Sequence, residues 1–245
     1  MCDLAVKVGS ARIDENGKAK GGKAGDQTGK EVSTQNWYLH SKGWRVLRAI
    51  DPERAKLIAD DMQYACDNKH IGYDQGQRLT LYNEAKQYGF NCSKVTKNCE
   101  TDCSALVRVC CAYAGIMVSN FRTTNEANIL LKSGYFVEMK GTKYQNSSDY
   151  LRRGDILVTK TQGHTVVVLT NGKYAGDNIN YNHVTVTGGS VNIRNEPTTT
   201  CKIIGIAHEG DVFDFLHEMV DNKWYRIKYG NGDGYISNKY SHLTP

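Results

Sequence analysis

The chain has three prolines in 245 residues and no apolar run approaching ~20 residues, so no segment reads as a membrane-spanning helix. Its start, MCDLAVKVGSARIDENG, lacks a 7–15-residue apolar stretch after a basic segment, which excludes a secretory signal and leads us to expect synthesis in the cytoplasm. Cysteine is present eight times, but not in the pattern of a metal site. The spacing Cys92-x6-Cys99-x3-Cys103-x6-Cys110-Cys111 contains no C-x-x-C pair, and no histidine follows at finger spacing. Thiols stay reduced in the cytoplasm, so a disulfide scaffold is disfavoured too. No basic stripe with interleaved aromatics marks a nucleic-acid binder. No metal, cofactor, nucleic acid or membrane insertion is expected.

The chain does contain 40% apolar residues, enough for a packed core, together with 15 tyrosines and a formal charge of +5. That charge suits attraction to an anionic polymer such as a bacterial wall. Residues 1–50 are Gly- and Lys-rich and read as loops, with extended pieces near Leu4–Val8 and Trp44–Leu47. Asp51-Pro52 opens a helix carrying Leu57, Ile58, Met62 and Ala65 at helical spacing. A second helix spans Gln77 to Tyr88, and a cysteine-bearing loop follows. Leu106, Val107, Cys110, Tyr113 and Ala114 mark a buried helix closed by Gly115. After one more helix near Thr124–Lys132, the pattern turns to β-branched runs. GDILVTK, HTVVVLT and KYAGDNI read as strands, the last two joined through an Asn171-Gly172 hairpin turn. The predicted fold is α+β over residues 1–182, then a linker at 183–189. Short strands with Gly, Asn and Asp between them predict a small all-β barrel over 190–245.

Among the cysteines, Cys103 stands apart. It falls in the first turn of its helix, with Asp102 or Thr101 as cap, where unpaired N–H groups and the helix dipole favour a thiolate. Cys66, Cys110 and Cys111 read as packing. A nucleophile needs a base, and His164 opens the most apolar strand of the chain. Across an Asn171-Gly172 hairpin, Asp177 falls diagonal to His164 and is the expected orienting group; a longer turn brings Asn178 or Asn180 there instead. Ser104 and Asp102 are expected to shape the turn that carries the nucleophile.

Asp102-Cys103-Ser104-Ala105-Leu106-Val107, Arg153-Gly154-Asp155-Ile156-Leu157 and Gly163-His164-Thr165-Val166-Val167-Val168 resemble, in order and spacing, the NlpC-type cysteine peptidases. These are papain-like peptidoglycan hydrolases with D-C-S-x-x-V, G-D-[IL] and G-H-V motifs. The resemblance covers about residues 90–180; residues 1–90 look like the leading part of some prophage lysins. It implies a papain-like catalytic domain, a helix-bundle start plus an antiparallel sheet. Two departures stand out. The position a dozen residues after the histidine is Gly176, and the G-x-x-Y segment before the cysteine is missing, its tyrosine replaced at best by the distant Tyr73. The tail resembles a bacterial SH3-type wall-binding domain through Val191-Asn192-Ile193-Arg194, Gly210-Asp211-Val212, Trp224-Tyr225-Arg226-Ile227 and Gly234-Tyr235-Ile236-Ser237. Tyr225 and Tyr235 are its expected wall-binding aromatics.

Together the two resemblances imply a phage or prophage endolysin that reaches peptidoglycan, of the Gram-positive type by the resemblance, once the membrane is breached. Tethering makes the second wall contact intramolecular. The resemblance favours a D-glutamyl endopeptidase, with an N-acetylmuramoyl-L-alanine amidase as the nearest rival. A non-catalytic wall-binding adaptor is the alternative from another class.

Overall fold

The computed structural model describes residues 5–175, 181–220 and 223–244. Asp177, Asn178 and Asn180 lie outside them. The chain divides into two compact units, residues 1–176 and 177–245.

In the first unit, strands β1 (Lys7–Ala11), β2 (Val32–Asn36), β3 (Trp44–Ala49), β6 (Phe136–Met139), β7 (Ile156–Thr159) and β8 (Thr165–Val168) form one antiparallel sheet, ordered β2-β1-β8-β7-β3-β6 among the described residues. Between them in the chain come α1 (Pro52–Asp67), β4 (Ile71–Tyr73), α2 (Thr80–Ala85), β5 (Cys99–Thr101), α3 (Cys103–Tyr113) and α4 (Glu126–Lys132). Asp51 caps α1 by accepting from the Glu53 N–H, and Pro52 sits in the first turn as expected. Ile58, Met62 and Ala65 are buried on one face of that helix. Helix α3 is buried along most of its length and packs against α1, β1 and β8. Every residue of β7 and β8 is buried, which explains their unbroken β-branched sequence.

Three expectations change. The Asn171-Gly172 pair does not form a hairpin, and residues 171–175 carry no strand. The free edge of β8 is taken by β1 from the start of the chain, in the register Val8↔Val168 and Gly9↔Val167. Beyond the strand, the Leu169 N–H donates to the Lys7 carbonyl (2.8 Å) and the Lys7 N–H to Thr170 Oγ1 (2.8 Å). The Asn-Gly pair serves close packing instead. A Cβ on Gly172 would lie 2.1 Å from the Ser148 carbonyl oxygen, and Asn171 Oδ1 accepts from the Arg153 N–H at 2.8 Å. Second, the cysteine-bearing loop ends in β5, which pairs in parallel with β4. Third, residues 183–186, expected as linker, form a strand of the second unit.

The Gly154-Asp155 motif is architectural. Gly154 has φ +91°, and a Cβ there would meet the Ala55 carbonyl oxygen of α1 at 2.2 Å. The buried Asp155 carboxylate receives the Arg48 guanidinium in a fork, Nε to Oδ1 at 2.8 Å and Nη2 to Oδ2 at 2.7 Å. This pins β7 to β3 beside the helix layer.

The second unit is all-β: β9 (His183–Val186), β10 (Ser190–Arg194), β11 (Ile203–His208), β12 (Val212–Val220), β13 (Trp224–Tyr229), β14 (Gly232–Ser237) and β15 (Ser241–Thr244). They run in the order β11-β10-β14-β13-β12-β9-β15 among the described residues. Val184, Val186, Ile193, Trp224, Ile227 and Ile236 fill the interior. Gly205 is required because the Tyr229 ring occupies its Cβ position, with the hydroxyl 2.0 Å away.

Substituting Gly154→Ala combines a left-handed backbone with a backbone clash. It should cost upwards of about 2 kcal/mol and lower the first unit's melting temperature by about 4–8 °C. Calorimetry on the full chain checks this; an unchanged first transition contradicts the packing role.

Candidate active site

The start of α3 is built around a buried carboxylate. Asp102 has extended backbone (φ −116°, ψ 176°), and its Oδ1 caps the helix by accepting from the Ala105 N–H at 2.7 Å. The same oxygen accepts from the Ser104 hydroxyl at 2.9 Å. Asp102 Oδ2 receives Arg78 Nε at 2.5 Å. Arg78 also donates to Ser104 Oγ (2.9 Å), the Phe121 carbonyl (2.7 Å) and Asn120 Oδ1 (2.9 Å). Arg78, Asp102 and Ser104 are all buried. Asp102 and Ser104 thus both take part in the hydrogen bonds of this turn. Arg78 escaped the sequence reading: it sits in a polar stretch before α2, and nothing in its local pattern separates it from a surface arginine.

Tyr73 is brought to this turn by strand pairing. In the parallel β4–β5 register, Tyr73 lies opposite Thr101, two residues before Cys103. Thirty residues of sequence separation therefore collapse to one strand spacing. The Tyr73 ring is buried, its hydroxyl accepts from Gln75 Nε2 at 3.0 Å, and it lies close enough to Cys103 and Asp102 to feel their charge.

Cys103 is 8% exposed, and the backbone N–H groups of Thr165 and Ser104 point at its sulfur. Thr165 follows His164 in the chain, and α3 packs against β8, which Thr165 opens. The His164 N–H and carbonyl are both held by Thr159 Oγ1, at 3.0 and 3.1 Å. Its Nε2 lies 3.2 Å from Ser10 Oγ, on the neighbouring strand β1. Nδ1 has no hydrogen-bond partner among the described residues. Among the described residues, the ring's hydrogen-bond partner is Ser10, a buried serine in β1. The sequence expectation named residues after the histidine, and those lie outside the described ones.

Burial dominates the electrostatics. It pushes the Cys103 thiol up to about 12, and the charges of Asp102 and Glu126 act in the same direction, against the two N–H groups. Burial also lowers His164 to about 4, assisted by His40 and Arg12. Both shifts favour the neutral thiol and the neutral imidazole, the opposite direction to the expected thiolate. Glu126 at the start of α4 is fully buried; Oε1 accepts from the Thr165 hydroxyl at 2.7 Å, and Oε2 has no partner among the described residues. Burial pushes this carboxyl up to about 8. An open cleft of about 450 Å³ borders His164, lined also by Arg12, Ile13, Gln35 and Tyr38.

A family model for endolysin-like domains matches residues 8–175. The chain belongs to the endolysin-like domain family. A second model, for bacterial SH3 domains, matches residues 189–242. A comparison with curated proteins gives no match. An endolysin-like unit joined to a bacterial SH3 unit makes the chain a peptidoglycan hydrolase with a wall-binding module. Among the described residues, no helix is long and apolar enough to cross a membrane, and no His, Cys, Asp or Glu group is arranged to hold a metal ion.

Within the SH3 unit of this endolysin-like chain, the two expected wall-binding tyrosines differ. Tyr225 is buried, its ring edge-on to Phe215 at 5.8 Å, so it presents no face for stacking. Tyr225 pairs with the core residue Ile236 and lies on the same strand face as the buried Ile227. Tyr235 is half-buried and lies opposite both Arg194 and Arg226.

The buried thiols fix an order of reactivity. Cys66, Cys92, Cys99, Cys103, Cys110 and Cys111 are all buried, whereas Cys201 is partly exposed. Iodoacetamide at pH 7 should label Cys201 well before Cys103, with Cys103 labelling rising steeply above pH 9; peptide mapping reads both. Fast labelling of Cys103 at pH 7 contradicts the neutral thiol.

Proposed function

We propose that the first unit is a cysteine peptidase that cuts an amide bond in the peptidoglycan stem peptide, with Cys103 as nucleophile and His164 as base. The observation that carries the reading is the convergence at the start of α3. A thiol on a rigidly capped helix turn lies against the N–H of the residue next to an imidazole whose far nitrogen is held by Ser10.

The reaction follows from neutral partners. As the sulfur attacks the amide carbonyl, its proton passes to His164 Nδ1 and an S–C bond forms. The oxyanion is stabilised by the Cys103 N–H at the start of α3, since the Ala105 N–H is taken by Asp102. The tetrahedral adduct then breaks its C–N bond, and the imidazolium returns the proton to the leaving amine. Water next gives a proton to His164 while its oxygen attacks the thioester. Collapse releases the carboxylic acid and restores the thiol. Ser10 fixes the ring orientation, the part expected of Asp177. Tyr73 forms one wall beside the nucleophile.

The D-C-S and G-H-V residues favour a D-glutamyl endopeptidase; cleavage between muramic acid and L-alanine is the alternative. Mass spectrometry of fragments from purified walls separates them, since clipped stems mean an endopeptidase and intact free stems an amidase. The SH3 unit holds the enzyme on the wall polymer, with Tyr235 rather than Tyr225 as the available aromatic of the expected pair.

Cys103→Ala should lower turnover of soluble muropeptides by at least about 10⁴-fold without changing the fold or wall sedimentation. Activity of the intact enzyme should persist down to about pH 5 and fall through pH 4, because the imidazolium form of His164 cannot accept the thiol proton. Full turnover by the Cys103→Ala variant overturns the reading.

A further inference from the structure

The cleft beside His164 has a chemical character that the dyad does not explain. Arg12 follows directly on β1, and its backbone is fixed by an N–H bond to the Glu31 carbonyl at 2.7 Å. Its side chain is exposed, and no carboxylate lies within ion-pair distance of it among the described residues. Of the neighbouring carboxyl groups, Asp14 Oδ1 accepts from the Asn16 and Lys18 N–H groups, and Glu31 accepts from the Gln27 and Tyr73 N–H groups. Arg12 nevertheless lies near enough to His164 and Tyr38 to influence their titration. Gln35 and Tyr38, both half-buried, line the same cleft and add neutral donors. A guanidinium without a protein anion, flanked by an amide and a phenol, matches a carboxylate.

We propose that Arg12, with Gln35 and Tyr38, forms a subsite that binds a free carboxylate of the stem peptide next to the amide being cut. The proposal rests on the reading that stem-peptide cleavage occurs at Cys103 and His164, and it names the charge that the substrate carries. Two groups of a stem supply such a carboxylate: the α-carboxyl of a D-isoglutamyl residue and the terminal carboxyl of the peptide. A D-isoglutamyl residue linked through its side chain carries its α-carboxyl carbon four bonds from the reacting carbonyl carbon. That distance fits a cation bordering the histidine. Amidation of that carboxyl removes the charge and should make a wall a poorer substrate, so the subsite would sort walls by their amidation.

The test uses the full chain carrying Cys103→Ala and three soluble disaccharide-peptides: the free acid, its D-isoglutaminyl amide, and the free acid with an amidated C-terminus. Calorimetric titration should show the free acid binding about tenfold more tightly than one of the two amides, and the amide that loses affinity identifies the carboxylate. Adding Arg12→Gln should bring the free acid down to that amide's level, while Arg12→Lys retains part of the preference. Circular dichroism checks that the exposed substitution leaves the fold intact. Equal affinity for all three compounds, no binding of any, or a preference that survives Arg12→Gln overturns the subsite. Turnover by the Cys103-intact chain is scored separately. Product without discrimination removes the subsite and spares the dyad, whereas discrimination without product does the reverse.

Discussion

The buried ion pair between Arg78 and Asp102 is the interaction on which the site depends. One carboxylate caps α3, holds Ser104 and answers a guanidinium that reaches to residues 120 and 121. Removing either partner would strand a charge in the interior, at a cost of about 3–5 kcal/mol. The pair therefore makes the turn before Cys103 a rigid object. Everything that converges there, Tyr73 through β5 and Thr165 through β8, is positioned against that turn.

The same burial decides the protonation state. A helix N-terminus stabilises a nearby negative charge by about 0.3–1 kcal/mol, up to ~2 in favourable geometry. Desolvating a charged group costs several kcal/mol, and here Asp102 adds a negative neighbour. Burial wins, so the proposed dyad rests as thiol and neutral imidazole, and charge develops only as the proton moves during attack.

Much of this was legible in the sequence. The Asp51-Pro52 start of α1, the apolar spacing of α3 and the β-branched runs of β7 and β8 are local signals, and they gave the elements that carry Cys103 and His164. The tail's short strands gave the barrel. What the sequence hid was pairing between distant segments. Nothing local in Lys7–Ala11 marks it as the neighbour of β8, so Ser10 was invisible as the histidine's partner and the Asn171-Gly172 pair passed for a hairpin. The β4–β5 pairing was hidden for the same reason, which left Tyr73 looking too distant to matter. Arg78 had no local signal because a buried arginine is identified by its carboxylate, 24 positions away. Tyr225 was misplaced by reading an aromatic as exposed, when strand alternation sends it inward beside Phe215.

The central physical claim is that Cys103 and His164 rest as a neutral pair. The most direct measurement is a pH titration of the His164 ring nitrogens by long-range ¹H–¹⁵N NMR, in the full chain and in its Cys103→Ala variant. The account predicts a neutral imidazole down to about pH 4 in the full chain and no fall in that midpoint when the thiol is removed. An imidazole that stays charged above pH 7 and loses that charge in Cys103→Ala would reveal a resting thiolate–imidazolium pair and contradict the account.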